Sequence, residues 1–201
     1  METPPAYAPP KKSNTGLIIG LVLGGIAICC VGGVALLAYF GLGFFNNTLK
    51  PIAECMMNYS VVEKAMEEYQ KEHDGKLPSA AAWQDELTPY VTKALATMKK
   101  EAGPFKLLDP NGEWGCTGET KTGMAFNTEA AGKKMEEVRS KDLVTVFEVK
   151  QSGRNIAKKY EELPRSESPK MMGKPRGWIK IVGGKTHMDG QNQDFDFQTG
   201  S

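Results

Sequence analysis

Cysteine and histidine are scarce in this sequence. Four cysteines and two histidines occur in 201 residues, and no two cysteines stand in a CxxC pair, so zinc knuckles and thioredoxin-like redox motifs are unsupported. Serine-nucleophile, phosphate-loop and HExxH patterns are missing as well. No block of like charge forms a basic or acidic arm. Lys11, Lys12 and Glu2 are the only charged residues before position 46, against chain totals of 25 basic and 24 acidic. The remainder is therefore balanced and has no electrostatic reason to bind nucleic acid.

The most informative absence is one of charge. From Gly16 to Phe45 no charged side chain occurs. About 20 apolar residues cross a bilayer core of roughly 30 Å, so this run is long enough to span with some tilt. A cleaved signal peptide has an apolar region of only about 7–15 residues, which favours an uncleaved anchor. Backbone groups in lipid must pair internally, so the segment is expected to be helical despite its glycines. Gly16, Gly20 and Gly24 fall on one helical stripe. That stripe suits close helix–helix packing, or reflects only the abundance of glycine in membrane spans. Tyr39, Phe40, Phe44 and Phe45 gather at the distal end, where Tyr39 suits an aromatic belt. Lys11 and Lys12 precede the span, while Lys50 and Lys64 follow it. This mildly favours a cytoplasmic tail and an extracytoplasmic C-terminal domain. The tail, residues 1–15, holds Pro4, Pro5, Pro9 and Pro10 and is expected to be disordered.

Residues 46–201 read as one domain. Pro51 suits the first turn of a helix. Ile52, Cys55, Tyr59, Val62, Met66 and Tyr69 recur at three- and four-residue steps, one apolar face of an amphipathic helix. His73-Asp74-Gly75 supplies its stop, with Gly75 as a left-handed cap. The membrane helix is expected to continue into this one, with Asn46-Asn47 and Pro51 as a break or bend. Ser79 is the expected N-cap of a short helix carrying Trp83 and Leu87, which Pro89 cuts or follows with a new turn. Tyr90, Val91, Leu95 and Met98 suggest a further helical stretch.

From Gly103 the texture changes. Asp109-Pro110-Asn111-Gly112 is a turn signal. Gly115-Cys116-Thr117-Gly118 and Thr122-Gly123 read as turns between short strands. Met124–Phe126 is a strand candidate, Ala130–Val138 a short helix or turn, and Leu143–Val149 the best strand. Glu162–Arg176 reads as a polar loop. Trp178–Val182, Gly183-Gly184 and Lys185–Met188 read as a hairpin with a two-residue turn. Helices first and strands after give an α+β fold, with an antiparallel sheet packed on the long helix.

Three clusters are candidates for chemistry. His73-Asp74 is an acid/base pair or a solvated helix end, and nothing in sequence supplies an orienting partner. His187, Asp189, Asn192, Asp194 and Asp196 form an oxygen-rich stretch. Calcium takes six to eight oxygen ligands, so Asp189, Asn192, Asp194 and Asp196 are candidate ligands, although the EF-hand pattern is absent and a plain polar tail is the alternative. Cys55 and Cys116 can form a disulfide outside the cytoplasm. Cys55 can equally remain a buried free thiol on its apolar helix face. Trp83, Trp114 and Trp178 are expected in the core or at a sheet edge. Asn46-Asn47-Thr48 and Asn58-Tyr59-Ser60 match the glycosylation pattern. No cofactor is implied apart from the calcium reading.

The apolar N-terminal helix, the helix ending in His73-Asp74-Gly75-Lys76-Leu77-Pro78, and the stretch Trp83-Gln84-Asp85-Glu86-Leu87-Thr88-Pro89-Tyr90 together resemble the bacterial type IV pilin-like, pseudopilin-related membrane-anchored proteins. Ala125-Phe126-Asn127, Thr145-Val146-Phe147-Glu148 and the terminal hairpin stand in similar order. The resemblance implies a pilin-like domain, a long helix packed on an antiparallel sheet, with binding or assembly as its role. The implied partners are the membrane, further copies of the chain, or components of a filament or secretion machine. The family's cleavage pattern is not matched. Lys11-Lys12 and Gly16 imitate a prepilin leader, but Leu17 follows, and Leu21 stands where an assembling pilin carries glutamate. The expectation is therefore a non-enzymatic, single-pass, extracytoplasmic protein. A true pseudopilin subunit and an extracytoplasmic enzyme are the alternatives.

Overall fold

Leu49, immediately before the first long helix, has helical backbone angles (φ −77°, ψ −42°). A helix beginning there needs no separate cap, because the preceding turn is already helical. That turn is a π-helical stretch, Phe45–Leu49, running directly into α1, Lys50–Glu72, with proline in its first turn. The bend expected at Asn46-Asn47 and Pro51 is thus a widened turn rather than a break. The structure, a computed structural model, describes residues 43, 45–99, 102–116, 121–171 and 173–189. The chain divides into two units, Met1–Phe44 and Phe45–Ser201, and all the elements named below belong to the second. Among the described residues no helix is long and apolar enough to cross a membrane. The tail, the glycine stripe of Gly16, Gly20 and Gly24, and nearly all of the expected span lie outside them.

α1 buries more than the one face its apolar periodicity marks. Cys55, Tyr59, Val62, Met66 and Tyr69 are buried as that pattern implies, and so are Glu54, Met56, Asn58, Val61 and Ala65. The helix packs on α2, Trp83–Met98, along one side and on the sheet along another. It ends where expected. Asp74 and Gly75 take positive φ (53° and 75°), and the Gly75 amide donates to the Gln70 carbonyl at 2.8 Å, a left-handed termination.

α2 is one helix, not two, and Ser79 does not cap it. Pro89 lies inside it and is exposed. The Asp85 carbonyl that loses its intrahelical donor therefore lies on the solvent side. The neighbouring Thr88 hydroxyl donates to the Gln84 carbonyl at 2.7 Å. Capping comes instead from Asn155, whose Oδ1 accepts the Gln84 and Asp85 amides at 2.8 and 3.4 Å. In return the Gln84 side chain accepts the Asn155 amide at 2.7 Å. This is a reciprocal cap closed across 71 residues of chain.

The main sheet contains β1 (Gly115–Cys116), β2 (Thr122–Asn127), β3 (Val144–Val149), β4 (Ala157–Lys158), β7 (Ile179–Val182) and β8 (Lys185–Met188). Its order is β1-β2-β3-β7-β8, antiparallel throughout. β4 adds a short parallel pairing to β2 through Phe126 and Asn127. A short helix, α3 (Met135–Ser140), lies in the connection from β2 to β3. The glycines at 115 and 123 lie in strands, not turns. A Cβ on Gly115 would strike the Thr122 backbone, and one on Gly123 the Gln151 carbonyl. Their role is close backbone approach. β7 and β8 form the expected hairpin, with Gly183 and Gly184 at φ 56° and 88°, the sign pattern of a type I′ turn. The stretch 162–176 is more than a polar loop. It carries a short 3-10 turn, Arg165–Glu167, a two-stranded ribbon of β5 (Lys170–Met171) and β6 (Lys174–Pro175), and buried Ser168 and Arg176.

The principal core lies between the helices and one sheet face. Trp83 stacks on Phe126 (centroids 5.6 Å) and meets Trp114 edge-on at 5.4 Å. A second, smaller cluster of Ala125, Val144, Phe147 and Val149 covers the opposite face with Ile156 and Tyr160. β3 is therefore buried on both faces, which explains its near-continuous apolar composition. The observed class is α+β with a curled, largely antiparallel sheet.

Candidate functional site

The pairing Met124↔Glu148 puts Glu148 on the sheet face that looks toward α1. There its carboxylate is completely enclosed. A buried carboxylate is costly unless paired and hydrogen-bonded, and Glu148 is both. Oε1 accepts from Arg176 Nη2 at 2.5 Å and from the Thr122 hydroxyl at 2.5 Å; Oε2 accepts the Ile179 amide at 3.2 Å. The side chain of Arg176 is 5% exposed, and its Nη1 donates to the Gly177 carbonyl at 2.8 Å. Tyr59 approaches from α1 with a buried hydroxyl that has no hydrogen-bond partner among the described residues. Burial first, then the Glu148 carboxylate, raises its pKa well above the usual phenol value, against the opposing pull of Arg176.

The disulfide lies beside this pair. Cys55 of α1 and Cys116 of β1 are joined, with Cα atoms 4.8 Å apart, inside the range disulfides require. The sulfurs and the Glu148 carboxylate lie within 4.8 Å of one another. That proximity does not make a metal centre. The sulfurs are bonded to each other rather than present as thiolates, and the carboxylate is neutralised by a guanidinium. The arrangement ties helix to sheet and locks the ribbon-bearing segment 162–176 onto β3.

A second polar cluster surrounds the C-terminal turn of α1. The Glu86 carboxylate accepts the Tyr69 hydroxyl at 2.8 Å, the Ser79 amide at 3.1 Å and the Ser79 hydroxyl. Burial alone would push the Glu86 carboxyl up, but the Ser79 and Tyr69 hydrogen bonds outweigh it and hold the group below its ordinary value. Burial, reinforced by the bond to Glu86, pushes Tyr69 up to about 12. The His73 ring stacks on Tyr69 (3.7 Å, 4° interplanar), and its Nδ1 donates to the Tyr69 carbonyl at 2.7 Å. His73 thus closes the helix end, while Asp74 supplies a left-handed residue of the turn.

The remaining candidates separate. The Asp189 carboxylate is ion-paired with Lys180 at 2.8 Å. Burial alone would lower the Lys180 pKa, yet its bonds to Asp189 and Tyr160 prevail and raise it. Calcium at Asp189 would have to displace that lysine. Asn192, Asp194 and Asp196 lie outside the described residues. His187 sits on β8 opposite Lys180. Trp83, Trp114 and Trp178 are buried, each indole donating to a backbone carbonyl, of Ile156, Asp109 and Pro164 respectively. Asn58 of the second glycosylation pattern is buried, accepting the Leu108 amide at 2.8 Å. Sequence patterns alone do not single out Glu148 and Arg176. The available signal is one glutamate inside an otherwise uncharged strand.

One concave surface stands apart from these polar clusters. A groove of about 530 Å³ opens between the end of α2 and the segment 102–110, lined largely by Leu95, Ala96, Phe105, Leu107 and Pro110. The chain matches no protein-family model, no curated protein and no solved structure.

Proposed function

We propose that the protein is a non-enzymatic, single-pass membrane protein whose C-terminal domain is extracytoplasmic and works by binding or assembly, in the manner of pilin-like proteins. The observation that carries this reading is the uncharged run from Gly16 to Phe45, which leads in sequence into the helical turn opening the domain. The Cys55–Cys116 bridge supports the placement, because disulfides persist in oxidising compartments. The long helix laid along a largely antiparallel sheet supports the pilin-like comparison at the level of architecture. The enclosed Glu148–Arg176 pair reads as structural, since each charge is satisfied by the other and by neighbouring groups.

Alkaline carbonate extraction of membranes containing the full chain, followed by non-reducing peptide mapping, tests this directly. The chain is expected in the membrane pellet, with the peptides bearing Cys55 and Cys116 linked. Release into the supernatant would overturn the anchor. Retention with both cysteines reactive to a thiol reagent would overturn the extracytoplasmic placement.

A further inference from the structure

The largest apolar side chains left exposed among the described residues are Phe45, at 37%, and Leu49, at 44%. Both belong to the π-helical turn that opens the domain. Phe105 lies beside them, its ring 6.3 Å from that of Phe45, and it also lines the 530 Å³ groove. The segment carrying Phe105 is fixed to α1, because the Lys106 amide donates to the Glu54 carboxylate at 2.7 Å. Three separate pieces of the fold, the opening turn, the loop 102–110 and the last turns of α2, therefore bring apolar surface to one end of the domain. Lysines border it. Lys99 lines the groove and Lys106 is exposed, while Lys50, at the start of α1, is paired with Glu54 at 4.0 Å. Among the described residues, the nearby Glu54 carboxylate is buried and engaged, and Asp109 lies on the groove wall.

We infer that this end of the domain is a membrane-contact surface. Phe45, Leu49 and Phe105 enter the boundary between headgroups and acyl chains, and Lys99 and Lys106 face anionic headgroups. This rests on the reading of Gly16–Phe45 as a membrane anchor. That run ends at Phe45, the first residue of the exposed turn, so no chain length separates the anchor from the patch. Aromatic and aliphatic side chains flanked by lysines suit the interface chemically: the rings and Leu49 favour the apolar boundary, while the lysines are drawn to an anionic surface.

The test uses the full chain reconstituted into vesicles of phosphatidylcholine and phosphatidylglycerol, with part of the lipid brominated near the headgroup end of its chains. The three native tryptophans are buried and provide the background. F105W, and L49W as a second variant should F105W fold poorly, place a reporter in the patch. K71W places one about 30 Å away along α1. The expected result is at least a twofold quenching of the added F105W or L49W emission, none for K71W, and weaker quenching when Lys99 and Lys106 are changed to Gln. A chain that fails to float with vesicles overturns the anchor and this inference with it. Flotation without quenching in F105W and L49W overturns the contact surface alone. Quenching that vanishes as the protein-to-lipid ratio rises assigns the patch to a second copy and overturns the lipid as its occupant.

Discussion

Glu148 and Arg176 set the energetics at the scale of single residues. Removing one member of a buried pair leaves an uncompensated charge and costs about 3–5 kcal/mol, whereas replacing both with apolar groups of similar size is often close to neutral. E148L and R176M are each expected to destabilise the domain by about that amount. The E148L/R176M double variant is expected to lose much less than the sum. Urea unfolding of the four chains checks this, and strict additivity would show that the two side chains do not act as a unit. Tyr69 and Glu86 make a pH-dependent counterpart. The raised Tyr69 pKa means that the folded state holds its proton more tightly than the unfolded chain. That contribution is complete below about pH 10, the ordinary value, and is lost as pH rises through about 12. Glu86, held low by its hydrogen bonds after burial is overcome, contributes above the ordinary carboxylate range and loses that contribution as pH falls through its folded value. Ultraviolet difference titration is expected to show a phenol ionising near 12, a step that disappears in Y69F.

The elements divide according to where their determining contacts come from. α1, β3 and the β7–β8 hairpin are legible in sequence because their signals are local: three- and four-residue apolar spacing, a β-branched run, and a Gly183-Gly184 turn with positive φ at both positions. Local patterns misplace both the start and the middle of α2. Its cap is Asn155, far along the chain, and Pro89 is tolerated because the carbonyl it orphans faces water. Nothing around Ser79 or Pro89 carries that information. Gly115 and Gly123 look like turn residues for a related reason. Turn and close-approach glycines are identical in sequence, and only the neighbouring strand decides between them. The candidate residues behave likewise: the Cys55–Cys116 bridge needs the α1–β1 approach to settle its geometry, and Arg176 reads as one more polar loop residue because its partner Glu148 stands 28 residues away in the chain. N155A should therefore act as a helix-cap mutation at long range. It is expected to cost about 1–2 kcal/mol in thermal unfolding. It should also raise amide exchange at Gln84 and Asp85 while leaving α1 protected, and protection unchanged at both amides would contradict the assignment.

Across the whole molecule, the disulfide and the uncharged N-terminal run bear on the same question of compartment. The bridge closes a loop with a sequence separation of 61. In a chain-entropy treatment this is worth about 4 kcal/mol, and native bridges commonly contribute about 2–5 kcal/mol. Reduction, or C55S/C116S, is expected to lower the unfolding free energy by an amount in that range in denaturant titrations of the detergent-solubilised full chain. A domain relying on such a bridge is poorly suited to a reducing cytosol, so covalent chemistry and hydropathy together support its proposed position across the membrane from its tail. Protease access in intact and lysed cells is the most direct measurement of that position. Protease added once the outer compartment is open, with the inner membrane intact, is expected to digest the domain from residue 46 onward and leave the N-terminal tail protected. Digestion of the domain only after the inner membrane is broken would contradict it.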